Sequence, residues 1–478
     1  MATTQQPRTD FVKALSRLDA TALVVGSMIG SGIFIVSADI LRQVHAPGVL
    51  LLVWALSGVV TLMGALSYGE LAAMFPRAGG QYVYLREGIS PLFGYLYGWT
   101  LFLVIQTGTI AAVAVAFARF TAVFFPSLSP NVFLGATINL GSGPIQVGLS
   151  PQRLVAILSV IVLTWINVRG VKTAAVIQTS LTAIKTTALA ALILLGITIG
   201  RNAAAIEANF GPAVWPPGGL GAALWPVIGA AMVGSLFSMD AWNNVGFAGS
   251  ELKDAKRDLP IAMAAGTLIV TVLYLLANVS YLNVLPADAI AHAPQDRVGT
   301  AALQAMFGDA GLYLMAGAIM ISTFGCNNGL ILSGARVYYA MARDDLFFRS
   351  AGVLHPRFKT PAVALFVQGL WTSLLCLSGT YTQLLNFVIF AALLFYGLTA
   401  VGLFALRAKR PAAERPVRAP GYPWLPALYV IATAVIAVDL LVQDATRTYS
   451  FLGLGLVLIG VPVYFGWRAM VRRSTGTV

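Results

Sequence analysis

The sequence predicts an all-α integral membrane protein of about twelve transmembrane helices, and three observations predict it. The composition is too apolar for a water-soluble domain. Apolar stretches recur, each long enough to cross a bilayer. Basic residues gather in alternate gaps between those stretches. Of the 478 residues, 58% are hydrophobic and only 10% charged, and the mean hydropathy is +0.81. A soluble domain carries roughly 25% charged residues, so much of this apolar surface must face lipid.

A span needs about 20 predominantly apolar residues. On that criterion spans are expected at about 20–43, 47–74, 92–125, 153–168, 174–200, 222–249, 260–285, 300–342, 362–379, 383–407, 425–443 and 448–470. The eighth is too long for a simple span, and part of it is expected to project into the cytoplasm. The N-terminal stretch is polar and basic and lacks the apolar core of a cleaved signal peptide.

Orientation follows from Lys and Arg. Alternate gaps and the two tails collect twenty-three of them on one side, against six on the other: Arg42, Arg119, Arg153, Arg201, Arg297 and Arg447. The positive-inside rule then places both termini in the cytoplasm. The expected organisation is a cytoplasmic tail over 1–19, a transmembrane core over 20–410, two further helices over 411–472 and a short cytoplasmic tail over 473–478. The compact loops point to a prokaryotic cell membrane.

The net charge of +12 does not imply nucleic acid, because the basic residues form no continuous face. Cys326 and Cys376 lie within apolar stretches, and His45, His292 and His355 are scattered. No metal-ligand spacing or disulfide framework emerges, and no cofactor is expected.

Two spans carry breaks. The first contains GSMIGSGIF (Gly26–Phe34) and the sixth FSMDAWNNVGFAG (Phe237–Gly249). Glycine is a weak helix former, and Asp and Asn compete for backbone hydrogen bonds, so both segments are expected to unwind. Unwound backbone at membrane depth survives only beside a cavity or buried in protein. Interruptions in the first helix of each half point to an inverted repeat, about 20–200 and 222–410, with a binding site between the halves. The alternative for Gly26 and Gly30 is close helix packing of the GxxxG kind.

Four stretches carry a resemblance: GSMIGSGIFIV (Gly26–Val36), YGELAAMFPRAGGQYVYLREGISPLFGYLYGW (Tyr68–Trp99), WNNVGFAGSELKDAKRDLP (Trp242–Pro260) and FGCNNGLILSGARVYYAMARDDLFF (Phe324–Phe348). Together they resemble the amino acid–polyamine–organocation transporters, and among them bacterial members of the L-type amino-acid transporter family. The resemblance implies a LeuT-type fold with a 5+5 inverted repeat and broken helices 1 and 6, moving amino acids or related amines by alternating access.

A zwitterionic substrate needs donors for its carboxylate and acceptors for its ammonium. The half-helix beginning after Gly30, Ser31 and Gly32 offers free backbone N–H groups for the first need, and Ser31 adds a hydroxyl. Carbonyls near Met28 and near Phe237 and Ser238 meet the second. In the family, the aromatic residue aligned with Phe237 covers the substrate; packing is its alternative. Trp242 and Asn243 follow the family pattern and shape the unwound stretch, though Trp242 equally suits packing. Tyr274 and Tyr281 could supply hydroxyls to the site or simply pack.

Lys185 lies about a dozen residues into the fifth span, roughly 16 Å deep. An ionisable group there is a functional candidate by default, with snorkelling as the alternative. The resemblance puts it where sodium sits in sodium-coupled relatives, which implies sodium independence. It is expected to bridge to the unwound part of the first helix and to the eighth near Asn327, and to be able to exchange a proton. Asp240 has three open roles: capping a half-helix, reading the substrate ammonium, or tuning Lys185. Asn327 and Asn328 are buried amides that need partners. Glu70, Arg77 and the segment Glu251 to Arg257 are expected at cytoplasmic gates or ion pairs.

Some animal members of the family join an ancillary glycoprotein through a cysteine between helices 3 and 4. Here that loop, about Pro126 to Gln152, has no cysteine, and no disulfide-linked subunit is expected. An intramembrane enzyme would need a nucleophile–base pair or a metal set, and no such motif is present. A channel should show a filter or a ring of like charges, and a sensor a long cytoplasmic extension. The expectation is therefore a sodium-independent amino-acid exchanger or proton-coupled permease, acting on neutral L-amino acids, with cationic amino acids or polyamines as the alternative because of Asp240. Its partners are the substrate and the bilayer, with protons in the permease alternative.

Overall fold

The computed structural model describes residues 11, 13–139, 144–378 and 381–474. Residues 475–478 of the expected C-terminal tail, much of the tail over 1–19, and the side chains of Arg472 and Arg473 lie outside the described residues.

The helices, in chain order, are α1 (Arg17–Met28), α2 (Val36–Val44), α3 (Pro47–Met74), α4 (Gln81–Gly88), α5 (Pro91–Thr100), α6 (Gln106–Phe124), α7 (Pro151–Val168), α8 (Val171–Ile197), α9 (Ala203–Phe210), α10 (Leu224–Ser238), α11 (Ala255–Val284), α12 (Ala287–Ala291), α13 (Val298–Arg343), α14 (Ala362–Cys376), α15 (Tyr381–Lys409), α16 (Trp424–Val442) and α17 (Asp444–Ser474). Among the described residues, ten helical stretches are long and apolar enough to cross a membrane. Two shorter apolar helices, α10 and α14, lie where the sixth and ninth spans are expected.

Several elements differ from the sequence expectation. The third span runs unbroken over Pro91–Phe124 but carries a π-helical turn at Leu101–Ile105 between α5 and α6. The long eighth span is α13, and part of its excess is a separate short helix set off by Gly308, whose φ of 63° interrupts the run. The loop between α6 and α7 holds an antiparallel hairpin, β1 (Leu134–Asn139) and β2 (Pro144–Leu149). Neither that hairpin nor α9 has an apolar run of span length, so the hydropathy pattern is blind to both.

The core is built where α1, α8, α11 and α13 pack together, with α3 against α11 and α10 against α2. Small residues allow the closest approach. A Cβ on Gly26 would overlap Thr182 and Gln178 of α8, so Gly26 serves close helix packing, as the GxxxG spacing allows. At the N-terminal end, α1 is fixed by a capping box between Ser16 and Asp19.

The end carrying the N-terminal segment is tightly closed. The Ala14 and Leu15 amides donate to the Glu251 carbonyl at 3.0 and 2.9 Å, and the Lys253 amide returns to Leu15 at 3.0 Å. The Arg336 guanidinium meets Glu251 at 2.7 Å with both side chains almost wholly buried, and Arg17 pairs with Asp258 at 2.7 Å. Glu70, fully buried, accepts from Arg407 at 3.0 Å and from Arg415 at 3.1 Å. At the opposite end Arg42 pairs with Asp296 at 2.7 Å.

Candidate functional site

Both expected breaks are present. After α1 ends at Met28, Ile29 leaves the helical region (φ −73°, ψ 89°). A single 3-10 turn, Gly32–Phe34, precedes α2. After α10 ends at Ser238, Ala241 adopts φ 68°, and a 3-10 segment runs over Asn244–Glu251. The two interruptions touch. A Cβ on Gly32 would overlap the Ser238 hydroxyl and stand 3.0 Å from Ser238 Cα, so only glycine permits this approach.

The carbonyls of the first break are nearly all in use. Lys185 Nζ donates to the Gly26 carbonyl, to Ile29 O at 2.7 Å and to Ser322 O at 3.4 Å. Ser322 Oγ lies 3.2 Å from the Ile29 and Gly30 carbonyls. Cys326 Sγ donates to Ser27 O at 3.0 Å, Tyr274 to Met28 O at 2.8 Å and Tyr281 to Ile33 O at 3.3 Å. An ammonium surrounded by three carbonyls satisfies groups that would otherwise be orphaned in a buried, low-dielectric setting.

The amides tell the opposite story. The N–H groups of Ser31, Gly32 and Ile33 find no acceptor among the described residues. Ser31 is fully buried, and its hydroxyl donates to Tyr381 at 3.0 Å. Tyr381 in turn meets Phe237 edge-on at 5.9 Å between ring centroids, and Phe237 is 6% exposed. Across the contact, the Phe237 carbonyl accepts from the Asp240 amide at 3.1 Å, whereas the Ser238 carbonyl has no donor among the described residues. Unclaimed donors on one segment thus lie beside an unclaimed acceptor on the other.

Two expectations need correction, and Asp240 finds its partners. The Met28 carbonyl is not free, because Tyr274 holds it. Asn327 does not join Lys185; its amide donates to Ile110 O of α6 at 3.2 Å. Ser322 and Cys326, four residues apart, share the helix face turned to the first break, and Asn327 is rotated off that face. The Asp240 carboxylate takes the Ala241 amide of the turn that follows it, and it also accepts the Tyr396 hydroxyl. Both groups border a small cavity with Thr61, Trp242 and Tyr429.

The remaining candidates are placed as follows. Trp242 packs edge-on against Tyr68 at 4.8 Å and beside Tyr396 at 5.6 Å. Asn243 donates to Gln81 at 2.7 Å, tying the second break to α4. Asn328 links three helices, accepting from Asn167 at 2.9 Å and donating to Ala174 O at 3.2 Å and Gln178 at 3.1 Å. Sequence reasoning missed Tyr381, Ser322, Cys326 and Tyr396. The i, i+4 spacing of Ser322 and Cys326 within an apolar helix was a usable signal for those two.

Residues 15–461 match the amino acid permease family. The chain is 28% identical to the human (Homo sapiens) b(0,+)-type amino acid transporter 1, covering 98% of this chain and 92% of that one. It is 30% identical to the serine/threonine exchanger SteT of Bacillus subtilis, covering 95% and 97%. It is also 30% identical to the large neutral amino acids transporter small subunit 2 of Mus musculus, covering 95% and 80%. With ten apolar helices among the described residues long enough to span a bilayer, the chain is a multi-pass membrane protein that belongs to the amino acid permease family, a family of transporters rather than enzymes.

Proposed function

We propose that this protein is a sodium-independent transporter of neutral L-amino acids, working by alternating access as an exchanger or a proton-coupled permease. The observation that carries the reading is the pairing of unclaimed groups at the two breaks. The free Ser31, Gly32 and Ile33 amides suit a carboxylate. The Ser238 carbonyl beside Gly32 suits an ammonium. Phe237 and Tyr381 cover the pair. In this reading Met28, Gly30 and Asp240 shape the site, and Trp242, Asn243, Tyr274 and Tyr281 hold its walls.

Sodium independence rests on Lys185. Its ammonium takes up the Gly26, Ile29 and Ser322 carbonyls, the kind of oxygen cage a hard cation would use, and its charge repels one. The relatives named for large neutral amino acids and for serine/threonine exchange favour neutral substrates and exchange. The remainder of the reading is a twelve-span arrangement with a 5+5 inverted repeat of the LeuT type, both termini cytoplasmic, in a prokaryotic cell membrane. A second reading, transport of cationic amino acids, rests on the buried Asp240 carboxylate beside the cavity bounded by Tyr396, Tyr429 and Trp242.

The test is uptake of a labelled amino-acid panel into sodium-free proteoliposomes, with and without internal unlabelled amino acid, at two external pH values. Uptake only against internal substrate identifies an exchanger. Uptake into empty vesicles that rises at low external pH identifies a proton symporter. Preference for arginine or lysine transfers the assignment to the second reading, and no uptake of any amino acid defeats both.

A further inference from the structure

The end of the molecule opposite the N-terminal segment is poor in basic residues, yet three of the six assigned to it by sequence converge at one place. Arg42 pairs with Asp39 at 3.4 Å and with Asp296 at 2.7 Å. Arg297 follows Asp296 in the chain. Arg119, five residues before the end of α6, donates to the Gln295 carbonyl at 3.1 Å. Arg119 differs from Arg42 in having no carboxylate within ion-pairing distance among the described residues. Asp296, whose charge acts on it, is already committed to Arg42, and Arg297 adds a like charge.

The position of this guanidinium matters more than its lack of a partner. Its carbon lies 5.7 Å from the centroid of the Tyr381 ring. That ring's hydroxyl accepts from Ser31, and its edge meets Phe237. One aromatic ring therefore separates an uncompensated guanidinium from the unclaimed amides of Ser31, Gly32 and Ile33. A partly buried arginine with a single carbonyl contact has donors left over, and its planar fork matches a carboxylate.

From this we infer that Arg119 forms an outer subsite for the substrate's α-carboxylate, engaging it at the mouth before Tyr381 and Phe237 admit it to the amides of the first break. This rests on the amino-acid transport reading above and adds a selection step to it. Molecules bearing a carboxylate are drawn to the mouth, while amines of the same side chain, lacking the carboxylate and carrying net positive charge, are repelled by Arg119 and Arg297.

The test compares wild type with Arg119→Gln and Arg119→Lys in sodium-free proteoliposomes. Glutamine keeps a donor for the Gln295 carbonyl and removes the charge; lysine keeps the charge. The probes are L-serine, L-leucine and L-arginine, with their decarboxylated counterparts ethanolamine, isoamylamine and agmatine as competitors. For the amino acid that is transported, Arg119→Gln should raise KM about tenfold with kcat nearly unchanged, the size expected for one lost charge-assisted hydrogen bond. It should also let the matching amine compete and flatten the dependence of low-substrate uptake on ionic strength. Arg119→Lys should restore most of the KM. A glutamine variant with wild-type KM and wild-type discrimination against the amine overturns the inference. So does a variant in which kcat, KM and thermal stability all decline together and lysine does not rescue them, since that is the signature of a purely structural tether. Wild-type protein that transports no amino acid overturns the transport reading itself, and this subsite with it.

Discussion

The two helix interruptions are held open by different physics. The break after Met28 is held by side chains reaching in from α8, α11 and α13: a lysine, two tyrosines, a serine and a cysteine, each donating to a backbone carbonyl. The break after Ser238 is held by its own turn, through the Asp240 amide on Phe237 O and the Asn244 amide on Ala241 O, and by aromatic packing of Trp242 against Tyr68 and Tyr396. The first therefore has its acceptors occupied and its donors free; the second leaves an acceptor free. This complementarity is what a zwitterion requires. The first break also depends on the Lys185 ammonium, so a change in the protonation or position of that side chain can release it.

Substituting the residues that hold each break should separate the two. The largest effect is expected for Lys185→Met, which leaves the Gly26 and Ile29 carbonyls without their shared donor in a buried setting. At about 1–3 kcal/mol for the orphaned Gly26 carbonyl, with Ser322 Oγ still on Ile29 O, uptake should fall about tenfold to a hundredfold while the protein remains monodisperse in detergent. Trp242→Ala should act on stability instead, costing about 3–5 kcal/mol from lost aromatic packing, read as a lower thermal midpoint in detergent with Lys185 intact. Gly32→Ala brings a Cβ onto Ser238 and should cost about 1–3 kcal/mol through overpacking, with uptake reduced. The double variant Gly32→Ala, Ser238→Gly should recover part of that loss, and no recovery would mean the two breaks are not in contact. Tyr274→Phe removes one donor from the Met28 carbonyl and should cost about 1 kcal/mol, seen as a slower uptake rate with little change in thermal midpoint.

Much of this arrangement was legible in the sequence. The apolar spans are read by hydropathy alone, because lipid imposes one rule on every helix that crosses it. The breaks were legible because GSMIGSGIF and FSMDAWNNVGFAG concentrate poor helix formers where the span should be continuous. Lys185 stood out because a lone cation at that depth has few structural excuses. The partners were not legible, since they depend on which helix faces which. Ser322 rather than Asn327 meets Lys185 because of a rotation of α13 that composition does not encode. Tyr381 sits at the start of α15, where a tyrosine also suits an interfacial belt, so nothing marked it as a neighbour of Ser31. The Asp240 contact to Tyr396 likewise depends on how α15 packs against α10.

The central claim is that one ligand is held by amides of the first break and a carbonyl of the second, so both of its charged ends must be present. The most direct measurement is competition against the transported amino acid in sodium-free proteoliposomes, using its N-acetyl derivative and its methyl ester. The account predicts that the free amino acid competes and that both blocked forms fail, because one lacks the ammonium for the Ser238 carbonyl and the other the carboxylate for the Ser31, Gly32 and Ile33 amides. Full competition by either blocked form would contradict it.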